Sequence, residues 1–492
     1  MRPIAALPPG WPSQREEAPP DPGSARLRFR LAPASFLLSA LLTAVLAPPL
    51  WAQDPNNPPP PYQTPSANNG PTLIPRPPDA PLSLPPGFSV AEYASGLSGP
   101  STMVLAPNGD LFVAERQGGR VSVYRRTGSM DLPGSRMTFA QGLNTPFGLA
   151  FHGDWLYVGT QGALLRYAYT PGQTAASGAP ERALTLPVGG HSTRNVLFSP
   201  KGDKLYLAIG SASNVAEEPA PRATIQEANE DGSGMRTFAS GLRNPVGLAW
   251  NPDSGKLWAV VNERDGLGDD VPPDYATSVS DGDFYGWPYA YFDGRPDPTF
   301  GSLRPDLVAK TRRPDLPIQA HSAPLGIAFY TGSQFPPDYA GSAFIALHGS
   351  WNRSQKTGYK VVRSRFQAGQ PVGPVEDFLT GFLLERNGGQ QVWGRPVGVM
   401  VDRDGALLVS DDGGGRIWRV TYSPPSVVAG DANGDGRVDV QDVVLALRLL
   451  VGLDPLTPAK VTALDLWPPG APDGKLTISD LVVLIRKVVM AQ

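Results

Sequence analysis

No feature limits the fold of this 492-residue chain more than a strand-and-turn unit that recurs from about residue 85 to 423. A turn with Pro or Gly leads into a strand, then a polar turn, then further strands. The clearest copies are GPSTMVLAPNGDLFVAERQGGRVSVYRR (99–126), TPFGLAFHGDWLYVGTQGALLRYAY (145–169), NVLFSPKGDKLYLAIGS (195–211) and NPVGLAWNPDSGKLWAVVNE (244–263). APLGIAFYTGSQF (323–335) with GSAFIALHGSWN (341–352), and RPVGVMVDRDGALLVSDDGGGRIWRVTY (395–422), complete a set of six. The turns Pro-Asn-Gly-Asp, Pro-Lys-Gly-Asp and Arg-Asp-Gly-Ala sit between short alternating strands, as hairpins require. Six such units predict an all-β fold, a six-bladed β-propeller over 85–424 with a well along its axis. The alternative is a pair of β-sandwiches, which suits six similar units less well.

One stretch stands out inside the repeats. Gly189-Gly190-His191-Ser192-Thr193-Arg194 places one of only four histidines just before the apolar run Val196-Leu197-Phe198. In a propeller, a loop entering a blade faces the well, so His191 is a candidate base. A solvated or structurally bonded histidine is the alternative. Composition narrows the chemistry. The net charge of -3 gives no case for nucleic acid. The absence of cysteine excludes disulfides, thiol nucleophiles and thiolate metal sites. Four histidines offer little to zinc, so a metal here would be a hard cation held by oxygen.

Ahead of the repeats, Arg26, Arg28 and Arg30 precede a short apolar run, Phe36 to Ala47, and then Leu50-Trp51-Ala52. Residues 1–52 are expected to be a secretory signal cleaved near Ala52, an uncleaved anchor being the alternative. The run is short for a bilayer span and no longer one follows, so no membrane span is expected in the mature chain. The expected location is secreted, periplasmic or cell-surface. Residues 53–84, rich in Pro and Asn, are expected to be an extended linker with no core of its own.

GGHSTRN (189–195), IGSASN (209–214), ASGLRNPVGLAW (239–250), FYGWP (284–288), HSAPLGIAFY (321–330), HGSWNR (348–353) and WGRPVGV (393–399) occur in this order, one or two per unit. Together they make the chain resemble the PQQ-dependent aldose and sorbosone dehydrogenases, soluble quinoprotein sugar dehydrogenases built on a six-bladed propeller. The resemblance covers nearly all of 85–423. It implies a PQQ cofactor, calcium, a sugar substrate and an external electron acceptor. On its terms His191 takes the proton of the anomeric hydroxyl while hydride passes to the quinone, work that suits an imidazole. Arg243 and Asn244 match a pair bonding the quinone oxygens, where an arginine fork can hold developing charge. Arg395 matches a carboxylate-gripping arginine, with Arg353 or Lys360 a second. The carbonyls of Arg264 and Asp265 fall where the family binds calcium, and calcium accepts backbone oxygens. Tyr285 and Trp287 are candidates to wall the sugar site; the alternative for Trp287 and Trp351 is the core. The loop NERDGLGDD (262–270) departs from the glucose dehydrogenase version and is nearer the sorbosone type, so glucose is not implied.

After Ser423-Pro424-Pro425 the pattern turns helical. Asp431, Asn433, Asp435, Asp439 and Asp442 place side-chain oxygens at positions 1, 3, 5, 9 and 12 of a loop with Gly436 at position 6. The Arg437 carbonyl falls at position 7, which completes the EF-hand calcium spacing, with Asp where Glu is usual. A second loop holds Asp465, Asp473 and Asp480, interrupted by Pro468-Pro469-Gly470-Ala471, and an apolar helix follows each loop. A paired loop and helix of this kind resembles a type I dockerin over 425–492, which implies a cohesin-type partner. Two other functions compete with the dehydrogenase: a calcium-dependent lactonase using Asp269, Asp270 and Asp411, and a non-catalytic binding propeller.

Overall fold

The computed structural model describes residues 54–126, 128, 132–386, 388–424 and 428–490. The signal expected over 1–52 lies outside them. Among the described residues, no helix is long and apolar enough to cross a membrane.

Six four-stranded antiparallel sheets are present among these residues, the six blades of a propeller. Their first strands are Pro100–Leu105, Leu149–His152, Arg194–Phe198, Asn244–Trp250, Pro324–Phe329 and Pro396–Val401. Five of the blades run outward through four strands in chain order, each antiparallel to the one before it. The innermost strands crowd together round the axis, and small residues there make this possible. A Cβ at Gly148 would lie 2.4 Å from the Arg194 carbonyl oxygen, and one at Gly326 would lie 2.4 Å from that of Val397. Both contacts join the innermost strands of neighbouring blades.

Apolar side chains fill the spaces between blades. Phe112 is fully buried, with its ring 5.1 Å from both Phe139 and Phe151 across the first and second blades. Phe88 meets Phe335 at 4.8 Å and Phe378 at 5.1 Å, both edge-on, the arrangement aromatic quadrupoles favour. Phe88 belongs to the strand Phe88–Ala94, which pairs with Arg416–Tyr422 in the register Val90 to Val420. The start of the propeller therefore supplies the outermost strand of its last blade. A buried charge cluster fastens the same seam. Asp402 accepts from Arg126 at 2.5 Å and from Arg419 at 3.0 Å, and none of the three side chains is more than 3% exposed.

Residues 54–84 correct one expectation. They contain almost no regular structure, yet they do not hang free. Leu73 bridges to Val392 and Ser83 to Thr380, and Ala80 is buried in the core between the fifth and sixth blades. A Pro-rich segment with few intramolecular donors can still be held by its carbonyls and remaining amides.

The tail forms three helices, Val440–Leu450, Pro458–Leu464 and Ile478–Met490, around Ala446, Leu449, Leu464, Leu481 and Leu484. Its two loops have one design. Asp442 accepts the amides of Ala432 and Asn433, and Asp480 accepts those of Leu466 and Trp467. Asp431 takes the amides of Gly434, Asp435 and Gly436, while Asp465 takes those of Asp473 and Gly474. The four extra residues of the second loop bulge out without breaking this pattern.

Candidate functional site

The loop Pro187–Thr193 carries His191 to the mouth of the well, and Arg194 fixes the loop. This arginine is fully buried, and its guanidinium donates to the carbonyls of Pro187, His191 and Thr193 at 2.7 Å each. Burial lowers its pKa to about 10, yet the carbonyls keep it charged at neutral pH. Arg222 grips the same loop from outside through the carbonyls of Gly189 and Val188.

The imidazole is fixed in turn. His191 Nδ1 lies 2.9 Å from the Ser211 carbonyl, and Ser211 Oγ donates to the Ser213 carbonyl at 2.7 Å. Since that hydroxyl proton is engaged elsewhere, Nδ1 carries the proton and donates it to the Ser211 carbonyl. Nε2 is then the unprotonated nitrogen. Burial, reinforced by the nearby Arg243 charge, lowers the His191 pKa to about 4. The ring is therefore neutral, the form a proton acceptor needs, through the whole physiological range.

His191 lines two adjoining cavities. One, of about 400 Å³, is bounded by His191, Asn214, Arg243, Asp265 and Trp351. The other, of about 280 Å³, is bounded by Arg116, His191, Ser192, Asn244, His348 and Asp412. Arg243 is held by Asn214, by the Glu263 carbonyl at 2.7 Å and by the Asp265 carboxylate at 3.2 Å. In the second cavity His348 Nε2 pairs with Asp412 at 2.8 Å, and Arg116 donates to Ser192 Oγ at 2.7 Å. Arg395 donates to the carbonyls of His348 and Gly349, and burial lowers its pKa. Three buried atoms here have no partner: Arg116 Nε, Thr193 Oγ1 and Asn244 Oδ1. Unmatched buried donors and acceptors on a cavity wall call for a polar ligand. Arg116 and Arg243 bound the cavities beside Asp412 and Asp265, while Arg395, expected at the cofactor, lines neither and stands behind His348.

Several expected residues stand elsewhere. Tyr285 is 1% exposed and donates to the Ser278 carbonyl at 2.5 Å, so it belongs to the blade core rather than to a sugar wall. Trp287 is also buried; its indole donates to the Asn214 carbonyl and backs the cavity from behind. The tryptophan that lines the cavity is Trp351, half exposed. Lys360 pairs with Asp377 on the outer strands of its blade, and Arg353 with Asp270 and the Asp269 carbonyl. Neither bounds the cavities. The Asp265 carbonyl already accepts from Asn214 at 3.0 Å and Arg264 at 3.2 Å, while the Arg264 side chain pairs with Asp297. Asp265 thus gives its carboxylate, not its carbonyl, to the site, which leaves calcium a poorer oxygen set than expected there. Among the described residues, no three acidic or histidine side chains converge as a metal cluster. The lactonase trio does not assemble. Asp269 caps Ser354, Asp270 holds Arg353, and Asp411 is buried under the amides of Arg395 and Gly414. Sequence reasoning gave no role to Arg116, Asn214, His348 or Asp412. The motifs HGSWNR and IGSASN, which contain His348 and Asn214, hinted at those two, and nothing singled out Arg116 or Asp412.

The TrAA12-like family model matches residues 82–274 and 306–423. An uncharacterized protein of Borreliella burgdorferi is 30% identical over 355 residues, covering 69% of this chain and 91% of its own. A pyrroloquinoline quinone-dependent sugar dehydrogenase of Hypocrea jecorina is 26% identical over 346 residues, 59% of this chain and 76% of that one. Among solved structures, the holo form of the pyranose dehydrogenase PQQ domain from Coprinopsis cinerea superposes with a TM-score of 0.60. It is 23% identical and covers 72% of this chain and 100% of its own. A Trichoderma reesei protein of carbohydrate-active enzyme family AA12 gives 0.61 at the same identity and coverage. These likenesses agree with the six-bladed fold.

Proposed function

The chain belongs to the TrAA12-like family, and from that premise we propose that it is an exported PQQ-dependent sugar dehydrogenase in which His191 is the general base. The observation that carries the reading is the locked tautomer of His191. Its Nδ1–H is spent on the Ser211 carbonyl, so Nε2 is the basic atom on a ring that lines both cavities.

When bound, the quinone supplies a two-electron acceptor for the hydride leaving the sugar's anomeric carbon. Arg116 and Arg243 suit a cofactor with carboxylates, and the unpartnered Arg116 Nε and Asn244 Oδ1 offer it a donor and an acceptor; Arg395 acts from behind, on the carbonyls of His348 and Gly349. His191 Nε2 takes the proton of the anomeric hydroxyl, so the carbon-bound hydrogen leaves with its electron pair and the sugar becomes a lactone. The Ser211 carbonyl steadies the imidazolium formed in that step, and Asp265 is close enough to favour it. The half-exposed Trp351 offers an apolar face on which a pyranose ring can stack.

We further propose that the tail binds calcium at Asp431, Asn433, Asp435, Asp439 and Asp442, with the Arg437 carbonyl. The backbone there already wraps Asp431 through the amides of 434–436, and the donor set is all oxygen. A dockerin-like role, with a cohesin-type partner at the cell surface, follows from the same resemblance.

The test is reconstitution. The chain from residue 53 onward is loaded with PQQ and calcium, and reduction of a dye acceptor is followed over a panel of aldoses and ketoaldoses. Dye reduction that requires PQQ supports the reading, and His191→Ala should then lower turnover by about 10²–10⁴. An alanine variant of full activity would remove His191 from the mechanism. Failure to bind PQQ would leave a non-catalytic propeller.

A further inference from the structure

Besides the C-terminal tail, two segments lie outside the family match, residues 54–81 and 275–305. Both are built against the same wall of the larger cavity, the one formed by Asp265 and Trp351.

The first crosses that wall as a strap. Tyr62 N donates to the Leu267 carbonyl at 2.7 Å, and Thr64 Oγ1 accepts the Asp269 amide at 2.7 Å. Five residues after Thr64, Asn69 N donates to the Trp351 carbonyl at 2.7 Å, and Asn69 Nδ2 to the Ser354 carbonyl at 2.8 Å. Lys356 Nζ closes the contact on Asn69 Oδ1. The strap therefore spans the Arg264–Asp270 loop and the Trp351–Lys356 loop, which also clasp each other. Asn352 donates to the Asp265 carboxylate, and Ser354 N donates to Asp269 at 2.9 Å.

The second segment holds the same loop from its other side. Asp297 pairs with Arg264, and Trp287 supports Asn214. The two segments meet where Arg295 donates to the Pro58 carbonyl at 2.5 Å. Gly268 marks how closely the strap lies: its φ is +115°, and a Cβ there would stand 2.9 Å from the Thr64 carbonyl oxygen. Any side chain at that position pushes the strap away.

We propose that the strap, braced by the 275–305 segment, is a specificity-determining element. It sets the position of Trp351 and Asp265 and thereby which sugar the cavity accepts. The proposal rests on the dehydrogenase reading. Positioning residues on this account are Thr64 and Asn69, which line neither cavity themselves.

The experiment uses the full chain loaded with PQQ and compares Thr64→Val, Thr64→Ser, Asn69→Ala and Gly268→Ala with the parent. Hydrogen exchange is read by mass spectrometry over 264–270 and 349–356, and KM and kcat over the sugar panel. The expected result is faster exchange in both stretches for Thr64→Val, Asn69→Ala and Gly268→Ala. KM for the preferred sugar should rise roughly tenfold while kcat holds, the size of effect a displaced pocket wall gives. The ranking of sugars should change with it. Thr64→Ser keeps the hydroxyl and should restore parental values. Faster exchange with unchanged KM and ranking would make the strap a structural brace alone and overturn the proposal. Unchanged exchange would overturn it too, since the loops would not depend on the strap. A parent chain that turns over no sugar sinks the dehydrogenase reading, and the proposal with it. A parent that turns over, with variants equal to it, sinks the strap alone.

Discussion

Arg194 is the residue whose replacement tests the site most sharply. Its guanidinium donates to the carbonyls of Pro187, His191 and Thr193, and among the described residues no carboxylate pairs with it. Arg194→Met keeps much of the volume and removes all three bonds. Three partly buried carbonyls then lose this donor, at about 1–2 kcal/mol each. Relief from burying a charge returns part of this, leaving a net loss of about 2–4 kcal/mol. A protein with about 5–15 kcal/mol of stability survives that loss, so the variant should fold. One of the freed carbonyls belongs to His191 itself, so the imidazole should drift. A displacement of about 1 Å costs about 10² in rate. Arg194→Lys, which keeps the charge without the fork, should fall between the two. Urea midpoints give the first quantity and single-turnover dye reduction the second. A methionine variant with a lowered midpoint and parental turnover would refute the link between the loop brace and the base.

Acid should act through His191. Its folded pKa of about 4 lies below the ordinary 6.5, so the unfolded chain binds more protons between those values. The stability it contributes is full above pH 6.5 and is lost as pH falls towards 4; His191→Gln should flatten that slope in urea titrations, and the acid limb of kcat/KM should sit near pH 4. Asp402→Asn strips the charge that two buried arginines share, and calorimetry should find the propeller less stable by about 3–5 kcal/mol. In the tail, Asp442→Ala removes the acceptor for three amides, those of Ala432, Asn433 and Asp439. Calorimetric titration should then find calcium affinity at the first loop lost, with the second loop unaffected.

The blades were legible because their signals are local. Hairpin turns and alternating strands lie within a few residues of each other, and the count of six followed from them. The conspicuous His191 was legible for the same reason. What escaped the sequence depends on contacts between distant segments. Tyr285 and Trp287 read as candidates to wall the sugar site, with the core as the alternative for Trp287 and Trp351; blade packing buries Tyr285 and Trp287 and leaves Trp351 half exposed. Residues 53–84 read as a linker because their attachment runs through single amides and carbonyls, such as Tyr62 to Leu267, that leave no apolar pattern. Lys360 was drawn to the site by its charge, whereas its partner Asp377 lies on the neighbouring outer strand.

The strand Phe88–Ala94, seated against Arg416–Tyr422, gives assembly an order. It leaves the ribosome before any blade and finds its partner only after the last blade has been made. Until then Phe88 lacks Phe335 and Phe378, and both ends of the array are bare sheet edges open to other chains. A pairing between the two ends of the propeller is also among the slowest contacts a chain can form. Ring closure is therefore the late, committing event of folding, and a molecule cut short before residue 416 cannot complete it.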